Sequence, residues 1–202
     1  KVKFMKKNIL ITGASKGLGK ELSLSLSRRD DVEFIAITAR DYDKLENTKK
    51  EILEINDNIK VIIIQGNLSN LSDTQNLIND LKKTKVQFNV LINNAGTGVK
   101  EPLELTPDEI IEEIIQVNLV APILITKHFL PHLRANNYGR IINISSISVV
   151  KPGPLISVYA TTKSGLKTFS ECISIAEIKN GITCNTIMPG LILNDMGRKS
   201  IK

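Results

Sequence analysis

Residues 8–21 read Asn-Ile-Leu-Ile-Thr-Gly-Ala-Ser-Lys-Gly-Leu-Gly-Lys-Glu, and this stretch decides the fold. A short apolar run enters a turn at Gly13, and a segment of helical period leaves it at Gly17. Glycines at such a strand-to-helix junction let backbone N–H groups approach a pyrophosphate, which then lies at the positive end of the helix. For the glycines alone, a tight turn without a ligand is the plainer alternative. The stretch does not fit a P-loop. Five residues separate Gly13 from Gly19, and Glu21 stands where magnesium binding needs Ser or Thr after Lys20. Gly13, Ser15, Lys16, Gly17, Leu18 and Gly19 are therefore candidates for holding a dinucleotide.

Outward from this turn, short runs rich in Ile, Val and Leu alternate with longer segments of helical period. Strands are expected at Asn8–Thr12, Val32–Thr38, Ile59–Ile64, Asn89–Ile92, Arg140–Ser145 and Ile182–Ile187. Their apolar residues are continuous rather than alternating, as a sheet covered on both faces requires. Helices are expected at Gly17–Arg29, Tyr42–Asn56, Ser72–Thr84, Pro107–Asn118, Ala121–Asn136 and Tyr159–Lys179, with Thr106 as N-cap before Pro107. Repeated β-α-β units with right-handed crossovers give an α/β fold of Rossmann type, a doubly wound parallel sheet with helices on both faces. No linker or repeat divides residues 1–202, so a single domain is expected.

The chain has 202 residues, 42% of them hydrophobic and 24% charged, which excludes disordered, collagenous and coiled-coil classes. No run approaches the roughly 18 apolar residues of a membrane span. Cys172 and Cys184 cannot form a disulfide framework and read as small core residues, so a reducing, cytoplasmic setting is expected. The net charge of +6 would suit nucleic acid, an anionic membrane or a phosphate-rich cofactor, and charge alone does not choose among them. With 4% aromatic residues there is no stacking platform, and no nucleic-acid partner is expected. His128 and His132 lie four apart, but Pro131 between them and the lack of a third ligand argue against a metal site.

Tyr159 and Lys163 also lie four apart at the start of an expected helix, so their side chains share a face. A neighbouring ammonium favours the phenolate form of a tyrosine and makes it a usable acid or base near neutral pH. Ser146 stands at the end of the fifth strand, where ligands sit in doubly wound sheets. It lacks the GxSxG elbow of a hydrolase.

Taken in order, Thr12-Gly13 with Gly17 and Gly19 (TGxxxGxG), Asn93-Asn94-Ala95-Gly96, Asn118, Ser146, Tyr159-x-x-x-Lys163 and Pro189-Gly190 resemble the short-chain dehydrogenase/reductase (SDR) family. The resemblance runs from about Ile9 to Gly190. It implies an oxidoreductase that moves a hydride between NADP(H) and a carbonyl or secondary alcohol. A 3-ketoacyl thioester, a diketone or a sugar-like ketone would suit as substrate. It implies Tyr159 as acid and base and Lys163 as the cation that tunes it and holds the nicotinamide ribose. Ser146 would orient the substrate oxygen, and the Asn118 main-chain carbonyl would hold a relay water. Asn94, Ala95, Gly96, Pro189, Gly190 and Ile192 would line the cofactor, with Asn67 and Leu68 at its adenine. The helices beginning near Ala121 and at Tyr159 would form a homodimer, or part of a tetramer. A non-catalytic dinucleotide-binding regulator or scaffold is the alternative, and the Ser146, Tyr159 and Lys163 trio argues against it.

The choice between NADP and NAD turns on the end of the second strand, where a carboxylate would bond a ribose hydroxyl and a cation a phosphate. Ala39 and Arg40 occupy that position and Lys16 adds a cation, which favours NADP; Asp41, two residues on, is the competing carboxylate. Relatives of this family continue past the Pro-Gly motif to a seventh strand, whereas this chain ends at Lys202. Residues 189–202 thus read as a partial substrate-binding loop. Leu191, Ile192, Leu193 and Met196 are its apolar positions, and Asn194 stands where the family commonly has threonine.

Overall fold

A computed structural model describes residues 5–192. Six strands, β1 (Lys7–Thr12), β2 (Val32–Ala39), β3 (Lys60–Gln65), β4 (Val90–Asn93), β5 (Gly139–Ile144) and β6 (Ile182–Ile187), form one sheet in the order β3-β2-β1-β4-β5-β6. Every pairing is parallel. Six helices connect them: α1 (Gly17–Ser27), α2 (Tyr42–Ile55), α3 (Leu71–Lys83), α4 (Asp108–Ile115), α5 (Ala121–Ala135) and α6 (Ser157–Glu177). This is the expected doubly wound Rossmann-like fold.

Alternate residues of each strand feed two cores. Ile9, Ile11, Ile35, Ile37, Val90 and Ile92 point to the side covered by α1 and α2, where Leu45 and Ile52 meet them. Leu10, Ala36, Leu91 and Ile141 point to the other side, against Leu77, Leu81, Ile125 and Leu133 of α3 and α5. Each fully buried Leu or Ile contributes about 1.5–3 kcal/mol relative to exposure, so both faces are strongly specified. Helix α1 is different. Its buried residues are Gly19, Ser23 and Ser27, a seam of small side chains that lets its backbone lie close to the strands.

The strand order reverses between β1 and β4. The chain leaves β1 toward one face and β4 toward the other, and the crevice opened between their C-terminal ends is where doubly wound sheets take ligands.

Three local expectations are corrected. Thr106 does not cap α4: its hydroxyl donates to the Pro102 carbonyl at 3.1 Å, and Pro107, with ψ of 144°, takes the cap position. The two helices expected at Pro107–Asn118 and Ala121–Asn136 are continuous, joined by a π-helical turn at Gln116–Val120. Cys172 is exposed rather than in the core. Only Cys184 is buried, and that burial pushes its thiol up to about 11. The readings made for Leu193, Asn194, Met196 and the rest of 193–202 lie outside the described residues.

Candidate active site

The glycine turn follows β1 directly. Gly13 and Gly17 have φ of 70° and 55°, a left-handed conformation that residues with a Cβ disfavour. Both Gly13 and Ala14 donate their N–H to the Thr38 carbonyl, at 2.8 and 3.1 Å, which fastens the turn to the end of β2. No side chain caps α1 at Lys16, and the first N–H groups of a helix have no intrahelical partner. A Cβ added to Gly19 would come 2.3 Å from the Gly13 carbonyl oxygen, so the turn is closed as tightly as glycine permits. A bare helix start above a glycine cradle suits a pyrophosphate. Leu18 turns its side chain into the α1 and α2 core.

Across the crevice, Thr12 and Asn94 hold the two loops together. The Thr12 hydroxyl accepts from the backbone N–H groups of Asn94 and Ala95, each at 3.0 Å. The Asn94 amide donates to the Thr12 carbonyl at 2.9 Å and to that of Gly13 at 3.1 Å. Asn93 points the other way, into the core. It donates to Asn143 at 2.7 Å, and Asn143 in turn donates to Ser170 of α6 at 2.8 Å.

Lys163 is 3% exposed, and its ammonium donates to the Ile144 carbonyl at 2.8 Å. Burial disfavours the charged form and brings its pKa down to about 8. The same nitrogen lies 5.8 Å from the centre of the Tyr159 ring. The Ser145 hydroxyl donates to the Lys163 carbonyl at 2.8 Å, so both ends of this lysine are tied to the end of β5. Ser146 lies two residues beyond the last residue of β5 rather than within the strand. Its hydroxyl accepts from Ser148 N–H at 3.1 Å and starts a short 3-10 turn, Ile147–Val149. That turn is fastened to the segment after β6 by Ile147 N–H donating to the Pro189 carbonyl at 2.9 Å.

Asn118 is fully buried in the π turn, and its side chain reaches the loop after β4. Its oxygen accepts from Thr97 N–H at 2.9 Å, while its nitrogen donates to the Thr97 carbonyl at 2.8 Å and to Thr162 at 3.1 Å. A Cβ on Gly96 would meet Lys163 Nζ at 3.3 Å and Asn118 Oδ1 at 3.4 Å. Gly96 therefore keeps open the space that these two groups share.

At the far end of the crevice, Arg40, Gln65, Gly66, Asn67 and Leu77 line a cleft of about 350 Å³. Arg40 is 3.5 Å from Glu113 of α4. Asp41 caps α2, accepting from Lys44 N–H at 3.1 Å and pairing with the Lys44 ammonium. Those contacts, the side-chain one first, hold its carboxyl below the usual carboxylate range. The Asn67 oxygen accepts from Ser69 N–H at 3.1 Å, and Leu68 is buried. Pro189, Gly190 and Ile192 follow β6, and Gly190 faces open space. Among the described residues, the glycine turn, Arg40, Asn67, Asn94 to Gly96, Ser146, Lys163 and Pro189 lie at one edge of the sheet, the C-terminal ends of its strands. The histidines lie elsewhere: His128 meets the Phe129 ring edge-on, and no cluster able to hold a metal ion occurs among the described residues.

Residues 7–202 match the sequence pattern of the short chain dehydrogenases. The chain belongs to the short chain dehydrogenase family. Two relatives in this family show how far the likeness extends. The 11-beta-hydroxysteroid dehydrogenase-like 3 of Arabidopsis thaliana is 32% identical over 192 residues, 95% of this chain and 60% of that protein. The 3-oxoacyl-(acyl-carrier-protein) reductase FabG of Rickettsia conorii is 31% identical over 193 residues, 96% of this chain and 76% of that one. Among solved structures, YwfH, an NADPH dependent reductase involved in bacilysin biosynthesis, superposes with a TM-score of 0.89 at 26% identity. That superposition covers 97% of this chain and 76% of the other. The chain thus spans about three fifths of the plant relative and about three quarters of the other two.

Four contacts at or beneath the candidate site were not read from the sequence. Gly98 lies against the Tyr159 ring, where a Cβ would come 2.8 Å from Cδ2. Thr162, Asn143 and the side chain of Thr12 act through partners far along the chain, and no local spacing announces them. Ser145 was visible only as a strand-end serine.

Proposed function

We propose that this chain is an NADP(H)-dependent oxidoreductase interconverting a carbonyl and a secondary alcohol. One observation carries the reading: a lysine buried to 3% exposure keeps its ammonium 5.8 Å from the ring of Tyr159. Burying a cation costs several kcal/mol, and such a group beside a second titratable one in a cleft is a functional arrangement. When bound, the nicotinamide supplies or accepts the hydride. Tyr159 passes its phenolic proton to the carbonyl oxygen in reduction and takes it back in oxidation. The Lys163 ammonium stabilises the phenolate left behind and bonds the nicotinamide ribose. Ser146 donates to the substrate oxygen and orients it. The main-chain carbonyl of Asn118 holds a water that returns the proton by way of Lys163.

The glycine turn, from Gly13 and Ser15 through Gly19, takes the pyrophosphate. Asn67 and Leu68 flank the adenine, and Asn94, Ala95, Gly96, Pro189, Gly190 and Ile192 enclose the nicotinamide half. Arg40 and Lys16 take the 2′-phosphate. Ala39 brings no carboxylate there, and Asp41 is committed to Lys44 and the start of α2. The exposed Ile147, Val150, Met188 and Leu191 favour an apolar substrate, such as a 3-ketoacyl thioester or a diketone, over a sugar-like ketone. In this reading residues 1–202 act as one domain in a cytoplasmic homodimer, with 189–202 opening the substrate loop.

Oxidation of NADPH and NADH against short 3-ketoacyl thioesters, diketones and ketoses, with Tyr159→Phe alongside, tests the proposal. Turnover with NADPH that falls at least a hundredfold in Tyr159→Phe is expected. Equal rates for the two proteins would remove Tyr159 from the chemistry. NADPH binding without turnover across the panel would favour a non-catalytic binder.

A further inference from the structure

Thr162 precedes Lys163 on α6 and is 1% exposed, yet its hydroxyl is fully engaged. It donates to the Tyr159 carbonyl one turn back, at 2.7 Å, and accepts from Asn118 Nδ2 at 3.1 Å. A hydroxyl has one proton. With that proton given to Tyr159, only its lone pairs face Asn118, so it can meet only the amide nitrogen. The other Asn118 contacts demand the same orientation, because Thr97 presents its carbonyl to Nδ2 and its N–H to Oδ1. A flipped amide would set oxygen against two acceptors and nitrogen against a donor.

The contacts close on themselves. Thr162 orients Asn118, and Asn118 pins both backbone groups of Thr97. The next residue, Gly98, lies so close to the Tyr159 ring that a Cβ would come 2.8 Å from Cδ2, and Tyr159 returns through its own helix to Thr162. Three separate elements, α6, the π turn and the loop after β4, meet in this circuit.

We propose that Thr162 is a positioning residue that sets the Tyr159 ring by way of Asn118, Thr97 and Gly98. The proposal rests on the reading of Tyr159 as acid and base. Loss of the hydroxyl frees one Asn118 N–H, loosens the grip on Thr97 and lets Gly98 move from the ring face. A shift of about 1 Å in a reacting group costs up to roughly a hundredfold in rate. The effect falls mainly on kcat, because the circuit touches only the nicotinamide end of the cleft, while the glycine turn and the end of β2, which would carry most of the cofactor's binding, are not part of it.

Thr162→Val keeps the shape and branching and removes the hydroxyl; Thr162→Ser keeps the hydroxyl. Hydrogen exchange by mass spectrometry needs no substrate and reads the Thr97 N–H directly. In Thr162→Val, exchange at residues 96–98 should rise at least tenfold, with the β1, β2 and β5 segments unchanged. The kcat for the carbonyl substrate found in the panel should fall ten- to a hundredfold while the NADPH Kd stays within twofold. Thr162→Ser should restore both. Unchanged exchange at 96–98 in Thr162→Val, or a kcat loss equal in the two variants, overturns the proposal. So does protection lost throughout α6 together with NADPH binding, which would mark Thr162 as packing alone. Failure of the enzyme reading shows separately, as Tyr159→Phe turning over like the parent.

Discussion

Gly19 and Asn94 occupy a space that admits one side chain: a Cβ on Gly19 would lie 2.4 Å from Asn94 Nδ2. The first turn of α1 and the loop after β4 therefore meet without a spare methyl group, and the crevice between them owes its width to this approach. Gly19→Ala must push back either the Gly13 carbonyl or the Asn94 amide that binds it. Overpacking of this kind costs about 1–3 kcal/mol, and here it also deforms the anion cradle. The variant should melt lower and bind NADPH at least tenfold more weakly, by thermal denaturation and fluorescence titration.

The buried Lys163 should make stability depend on pH in one direction. Its folded pKa of about 8 is below the ordinary 10.5, so between those values the unfolded chain binds the proton that the folded chain has released. Folding is thus penalised in full below about pH 8, and the penalty disappears as pH rises toward 10.5. Lys163→Met has no charge to bury. It should be more stable than the parent at pH 7 by up to roughly 3 kcal/mol, a gap that narrows through this window. Parallel melts across the range check it, and a constant gap would contradict the burial argument.

At the cofactor's other end, Arg40 is 69% exposed and its pair with Glu113 spans 3.5 Å, so the pair itself is worth at most about 1 kcal/mol. A 2′-phosphate should take the guanidinium from it. Arg40→Gln should weaken NADPH about tenfold or more and leave NADH nearly unchanged, since a charged hydrogen bond contributes roughly 1.5–3 kcal/mol. Glu113→Gln should tighten NADPH two- to fivefold. Titrations of both cofactors against both variants decide this, and equal shifts for NADH and NADPH would count against Arg40.

Asn143 has no contact with the crevice, yet it bridges Asn93 and Ser170 in the core. Asn143→Leu removes the acceptor of one buried Asn93 N–H and sets a branched apolar side chain among polar neighbours, while Ser170 keeps its bond to the Leu166 carbonyl, at about 2–4 kcal/mol. The melting temperature should drop by roughly 5–15 °C, with NADPH affinity within twofold of the parent.

The strands could be read in advance because Ile, Val and Leu runs covered on both faces leave a continuous apolar record. Their ends fell within about two residues of the expected ones. The glycine turn and the approach of Lys163 to Tyr159 were legible because local spacing alone sets them, a strand-to-helix turn in one case and four residues on a helix in the other. The π turn was not. Its extra residue is stabilised by Thr97 and Thr162, which Asn118 meets only in three dimensions. Thr106 looked like a cap, but the Pro102 carbonyl claims its hydroxyl and Pro107 stays extended. Cys172 sits among apolar neighbours in sequence, yet Leu166, Ser170 and Glu177 take the inward face of α6 and leave it outside.

The π turn also acts as a rotary joint. An α-helix advances about 100° per residue, and an i to i+5 turn absorbs one residue more than the regular i to i+4 pattern. Everything before Gln116 is therefore turned by about 100° relative to a straight continuation of α5. Because of that offset, Glu113 can face Arg40 on one side of the molecule while Ile125 and Leu133 still face the sheet. Deleting a single residue within 116–120 would let the two halves join as a regular helix still in register, at the expense of the bulge that carries Asn118 to Thr97 and Thr162. In this helix the number of residues, as much as their identity, encodes the site.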